Sequence, residues 1–85
     1  LVAELEAVFR STTEASLAAL KHAIEQGQAE ACRKEAHALK GAAASVMSTV
    51  IQEGAARIEA SVQQGDFAGA AAELAALENR FGAGA

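Results

Sequence analysis

The sequence predicts an all-α fold, an up-down-up-down antiparallel four-helix bundle with a short extra helical segment at its amino terminus. Three observations predict it. Proline, the strongest helix breaker, is absent. Alanine dominates the apolar half of the composition, which favours helix and close helix packing, whereas the β-branched and aromatic runs that strands use are scarce. Apolar residues recur at three- and four-residue spacing between glycine and cap-like punctuation, and the connections left over are only a few residues long. Short connections make successive helices antiparallel.

Leu1 to Arg10 forms the short segment, with Leu1, Leu5, Val8 and Phe9 on one side. Ser11-Thr12-Thr13-Glu14 has the S-x-x-E form of a capping box, so a new helix, or a kink within one helix, is expected there. That helix carries Leu17, Leu20 and Ile24 inward and stops at Gly27, a residue suited to the left-handed conformation that closes a helix. The next runs from about Gln28 to Val46. Thr49-x-x-Gln52 is a second capping-box form and opens a third helix that turns Val50, Ile51, Ala55, Ile58 and Val62 inward before Gly65. Asp66 is a natural N-cap for the last helix, which buries Phe67, Ala70, Leu74, Leu77 and Phe81, and residues 82–85 are expected to fray. Residues 1–85 read as one domain without a linker, a second domain or an internal repeat. The chain opens on Leu1 rather than methionine, which fits a domain excised from a longer protein.

Size and charge exclude several classes. Eighty-five residues bury too small a core for a deep active site with a resident cofactor. A net charge of −4, with cations mostly scattered as singles, argues against nucleic-acid binding. No apolar run approaches the roughly 20 residues that span a bilayer, and Glu4 and Glu6 interrupt any signal-peptide pattern. Cys32 is the single cysteine; it makes no intrachain disulfide, fits a reducing cytoplasm, and reads as a core residue. No GxxxxGK[ST] loop is present for a nucleotide.

The stretch that carries chemistry is Ala36-His37-Ala38-Leu39-Lys40-Gly41-Ala42-Ala43-Ala44-Ser45. At about 100° per residue, Arg33, Lys34, Lys40, Gly41 and Ala44 fall within about 60° of His37, while Cys32, Ala36, Leu39, Ala43 and Val46 lie opposite. His37 therefore stands on the solvent face with cations one turn before and one turn after it. Glu35 turns towards the core side and fits this pattern badly. Neutral imidazole is nucleophilic near neutral pH, with an ordinary pKa of about 6.5. Lys40 can offset the charge of an incoming phosphoryl group. Gly41 and Ala44 carry almost no side chain, so a partner's acidic pocket can approach His37. Glycine within a helix costs about 1 kcal/mol relative to alanine, which suggests a use for the empty space.

His-Ala-Leu-Lys-Gly followed by small residues resembles the H-x-L-K-G-S-A signature of histidine phosphotransfer domains, found in hybrid sensor kinases and, in similar form, at the amino terminus of chemotaxis kinases. The resemblance takes in the Phe9 region, Leu17, Leu20 and Ala23, Gly27, Ile58-Glu59 and Gly65-Asp66, nearly the whole chain. It implies that His37 is the phosphoacceptor, Lys40 the phosphate-neutralising cation, Gly41 the source of clearance and Leu39 the core anchor that keeps His37 turned outward. It further implies a phosphocarrier in the cytoplasm with no cofactor of its own. Its partner would be the receiver domain of a response regulator or hybrid kinase, which would hold Mg²⁺. Arg33, Lys34, Ala38, Ala44 and Ser48 are the expected docking rim, flanked by the Ser11–Gln26 helix. The isolated domain is expected to be monomeric.

Two positions depart from the family pattern: Met47 stands where glycine often closes the histidine helix, and Gln28 where aspartate often caps it. Competing readings are a helical adaptor or dimerisation module in which His37 is never phosphorylated, and a domain phosphorylated on His37 directly from ATP by a linked kinase. His22, near a helix end and without Lys-Gly companions, reads as structural. A di-iron bundle needs Glu-x-x-His, and here Ala19 and Lys34 precede the two histidines by three.

Overall fold

The computed structural model describes residues 2–45 and 47–83. Four helices follow one another: α1 (Val2–Glu25), α2 (Ala29–Ser45), α3 (Thr49–Gln63) and α4 (Phe67–Ala83). Each packs against the next, and α1 closes the ring against α4. No strand occurs among the described residues. The expected four-helix architecture is observed.

The amino-terminal segment is a correction. Val2 to Arg10 is not a separate helix but the first part of α1, which continues unbroken through Ser11. A capping box needs a chain that enters the helix from outside, and here the preceding residues are already helical, so the N–H groups around Ser11 and Glu14 have carbonyl partners. Thr13 instead turns into the core, fully buried, with a hydroxyl that finds no hydrogen-bond partner. Val8 is 64% exposed rather than inward, while Phe9 packs against the core. Leu1 and Val46 lie outside the described residues, as do the side chain of Leu5 and the tail residues Gly84 and Ala85; Gly82 and Ala83 still belong to α4.

The core is one cluster built from the stripes the spacing predicts. Leu17, Leu20 and Ile24 of α1 meet Cys32, Ala36, Leu39 and Ala43 of α2 in it, together with Ile51, Ala55, Ile58 and Val62 of α3 and Ala70, Leu74 and Leu77 of α4. Phe67 and Phe81 pack only partly buried at its two ends. Val50 departs from expectation and is 39% exposed. Small residues let the helices close up: a β-carbon on Gly54 of α3 would lie 2.6 Å from Leu77 Cδ1 of α4.

All three turns are closed in the same way. After α1, the Gly27 N–H donates to the Ile24 carbonyl at 3.1 Å and the Gln28 N–H to Ala23 at 2.9 Å. After α3, Gly65 donates to Val62 and Asp66 to Ser61, both at 2.9 Å. After α2, Met47 donates to Ala44 at 3.2 Å and Ser48 to Ala43 at 2.8 Å. This is the double bond pattern that satisfies the last carbonyls of a helix, and it requires a left-handed residue. Gly27, Gly65 and Met47 supply it, with φ of 64°, 75° and 58°. Met47, the departure from the family pattern at this turn, thus performs the glycine's task itself. A side chain in that conformation costs about 1–2 kcal/mol.

The helix starts are less uniform. Asp66 caps α4 as expected, accepting the Gly69 N–H at 2.8 Å. Thr49 is not the cap of α3; Ser48 is, and its side chain makes no capping bond.

Candidate functional site

The site is a strip along the outer face of α2. Four side chains, Cys32, Ala36, Leu39 and Ala43, are almost completely buried and fix the rotation of this helix. Leu39 is 1% exposed, two residues from His37. With that stripe locked inward, the opposite face has to point to solvent. Arg33, Lys34, His37, Ala38, Gly41 and Ala44 are all exposed. Of the residues expected to share a face with His37, Arg33, Lys34, Gly41 and Ala44 are exposed and Lys40 is half-buried; Ala38, expected at the docking rim, is exposed as well. Ser48, the last member of the expected rim, is half-buried at the start of α3. Residues 11–25 of the expected flank belong to α1, which packs beside α2. Glu35 is half-buried, at the edge between the two faces.

Lys40 sits at the side of the strip and does not stand free. Its Nζ donates to Glu59 Oε1 of α3 at 3.1 Å, with both side chains partly covered, 35% and 23% exposed respectively. The ion pair stretches the lysine along the groove between α2 and α3, one turn beyond His37. Any anion brought to this side of α2 has to compete with Glu59 for the Lys40 ammonium. Glu59 stands in the family resemblance, but its pairing with Lys40 was not expected. Ile58 beside it signals the core side of α3, which puts Glu59 on the flank, but pairing across two helices depends on their mutual rotation, which spacing along one helix does not give.

Arg33 is also engaged. Its guanidinium makes a forked contact with Glu30, 2.6 Å from Nη2 and 3.2 Å from Nε. The hydrogen bond and charge of Arg33 hold the Glu30 carboxyl below its ordinary range, and Glu30 raises Arg33 in return. Both side chains are well exposed, so the pair adds little to stability. Its effect at the site is to anchor the cation one turn before His37.

Gly41 stands in open space. A β-carbon built on it would meet nothing within 4 Å, so packing within this chain does not demand glycine there. The Ser45 hydroxyl bonds back to the Gly41 carbonyl at 3.3 Å, a local helix contact.

Other candidate groups lie apart from the strip. Cys32 is fully buried on the opposite side of α2, and burial pushes its thiol up. His22 is exposed in the last turn of α1. Among the described residues no group of three His, Cys, Asp or Glu side chains is placed to hold a metal ion, and no helix is long and apolar enough to cross a membrane.

The strip offers an exposed imidazole, a lysine three residues on that is paired with Glu59, and the small exposed residues Ala38, Gly41 and Ala44. Such a surface can present a nucleophile to another protein, and the partner has to bring the rest of the chemistry. Comparison with known proteins agrees. The family model described as the Hpt domain matches residues 4–83. No curated protein and no solved structure matches the chain.

Proposed function

The chain belongs to the Hpt domain family, the histidine phosphotransfer domains of phosphorelay signalling, and from that premise we propose that it carries a phosphoryl group on His37 between receiver-domain aspartates. The observation that supports this most is the placement of His37: exposed on a face whose rotation is set by the buried stripe of α2, with Lys40 to one side and a glycine without neighbours on the other.

In the proposed reaction a ring nitrogen of His37, Nε2, attacks the phosphorus of a receiver phosphoaspartate. The N–P bond forms as the P–O bond breaks, and the aspartate leaves as a carboxylate. The reverse step delivers the group to another receiver. Such a transfer needs an in-line donor and acceptor and neutralised phosphoryl oxygens. This chain provides the acceptor, holds it rigidly on a helix, and offers Lys40 to the oxygens. The receiver contributes the aspartate and, as the expected holder of Mg²⁺, most of the remaining positive charge. Arg33, Lys34, Ala38, Ala44 and Ser48 form the docking rim around His37. The domain acts as a monomeric phosphocarrier in the cytoplasm and needs no nucleotide site of its own.

The test is phosphate transfer from a panel of radiolabelled phospho-receivers with Mg²⁺ to wild type and to His37→Ala. Acid-labile, alkali-stable label on wild type alone, with the helical circular dichroism of both proteins equal, is the expected result. Label on His37→Ala would move the acceptor elsewhere. Receiver binding without any transfer would favour an adaptor, and labelling from ATP by a linked kinase domain would put the kinase-coupled alternative first.

A further inference from the structure

Met47 is costly to this fold in two ways. It occupies a left-handed conformation, φ 58°, that the other two turns give to glycine. It is also 87% exposed, the most exposed of the large hydrophobic side chains described, so the thioether stem gains nothing from the core. Val50, three residues further and in the first turn of α3, is a second large apolar side chain left in solvent, at 39%. Both apolar side chains are exposed where α2 passes into α3.

The position of Met47 relates it to the strip. Met47 closes the helix that carries His37, and ten residues at about 1.5 Å each place it about 15 Å along that axis. Ala44 lies between them, exposed, within about 20° of His37 around the helix. One side of an ordinary protein interface covers about 800 Å², a disc of roughly 16 Å radius. Measured along the axis of α2, Met47 falls near the margin of a disc of that radius centred on His37. The intervening surface of Ala44 and Gly41 has no bulk to hold the partner away. Methionine is unbranched and adaptable, and is enriched where proteins meet.

We infer that Met47, with Val50 beside it, is an apolar anchor of the receiver-docking surface, selecting receivers that present an apolar side chain opposite this corner. The inference rests on the phosphocarrier reading above. It accounts for a side chain that is strained and exposed at once, where glycine would serve the turn better.

The experiment follows transfer from the panel receiver that phosphorylates wild type fastest, to wild type, Met47→Gly and Met47→Leu, with thermal melting of each. Glycine relieves the backbone and removes the anchor, so Met47→Gly is expected to melt higher than wild type. Its KM for the phospho-receiver rises roughly tenfold, the scale of losing one interface anchor, with kcat within about twofold. Met47→Leu keeps the apolar contact and the strain, and is expected to match wild type in both measurements. A purely structural role cannot move stability and affinity in opposite directions. A Met47→Gly protein that melts higher and keeps the wild-type KM overturns the anchor while leaving the phosphocarrier intact. Failure of every receiver to label wild type overturns the phosphocarrier reading, and the anchor with it.

Discussion

At the scale of single residues, the account turns on Lys40 and Gly41. Lys40 touches a carboxylate, Glu59 at 3.1 Å, and in the proposed transfer it would be shared between that group and the arriving phosphoryl group. Removing the cation should therefore slow the reaction. Charge-assisted hydrogen bonds contribute about 1.5–3 kcal/mol, so Lys40→Ala is expected to lower the transfer rate by roughly 10- to 100-fold without unfolding the domain, as read by rapid-quench labelling. Glu59→Gln should act in the other direction on the equilibrium. It removes both a competitor for the ammonium and a negative charge near the phosphate. A partly exposed ion pair is worth at most about 1 kcal/mol, so the ratio of phosphorylated chain to phosphorylated receiver is expected to rise by up to about fivefold. An unchanged ratio would mean that Lys40 keeps its Glu59 contact throughout. Gly41 separates folding from function. Because a β-carbon there meets nothing, Gly41→Ala should stabilise the helix by about 1 kcal/mol and yet weaken docking. Unimpaired transfer by that variant would show that the partner does not use the clearance.

At the scale of helices, the apolar stripes were legible in the sequence and the helix ends only in part. Cys32, Ala36, Leu39 and Ala43 announce the buried side of α2 by spacing alone, and His37 follows as the exposed opposite. Asp66 was legible because a capping aspartate bonds within its own turn. Ser11-Thr12-Thr13-Glu14 misled because the same four residue types can sit inside a continuous helix, and nothing local separates the two cases. The deciding factor is tertiary: Thr13 lies at a position of α1 that faces the core. Its partnerless buried hydroxyl yields a stability test. Replacing it by a methyl group removes an unsatisfied polar atom at nearly constant volume, a gain of about 1 kcal/mol. Thr13→Val is expected to raise the melting temperature by roughly 4–8 °C for a domain of this size. A lower melting temperature would mean that the hydroxyl has a partner in solution. The α2–α3 turn was hidden for a different reason. Propensity assigns a left-handed residue to glycine, and only the backbone reveals Met47 in that role.

At the scale of the whole molecule, the proposal makes the bundle a stand for the exposed imidazole of His37. The chain carries a net charge of −4, yet its cations include Arg33, Lys34 and Lys40 around His37, so the exposed strip of α2 is locally more positive than the rest. That contrast suits a partner whose own site is acidic. In the proposed division of labour, a surface that accepts and returns a group needs a fixed nucleophile and an unobstructed approach, and four packed helices supply both. The family and the strip were readable from His37-Ala38-Leu39-Lys40-Gly41, while the Lys40–Glu59 pairing required the packed helices. A carrier has to give as well as take, and the measurement that tests this most directly is return transfer. Wild-type chain labelled by one phospho-receiver is freed of it and mixed with a second, unphosphorylated receiver and Mg²⁺. The account predicts that label leaves the chain and reappears on the receiver as an alkali-labile acyl phosphate, faster than it is lost to water. Label that stays on the chain until it hydrolyses would contradict the carrier and leave a phosphorylated end point in its place.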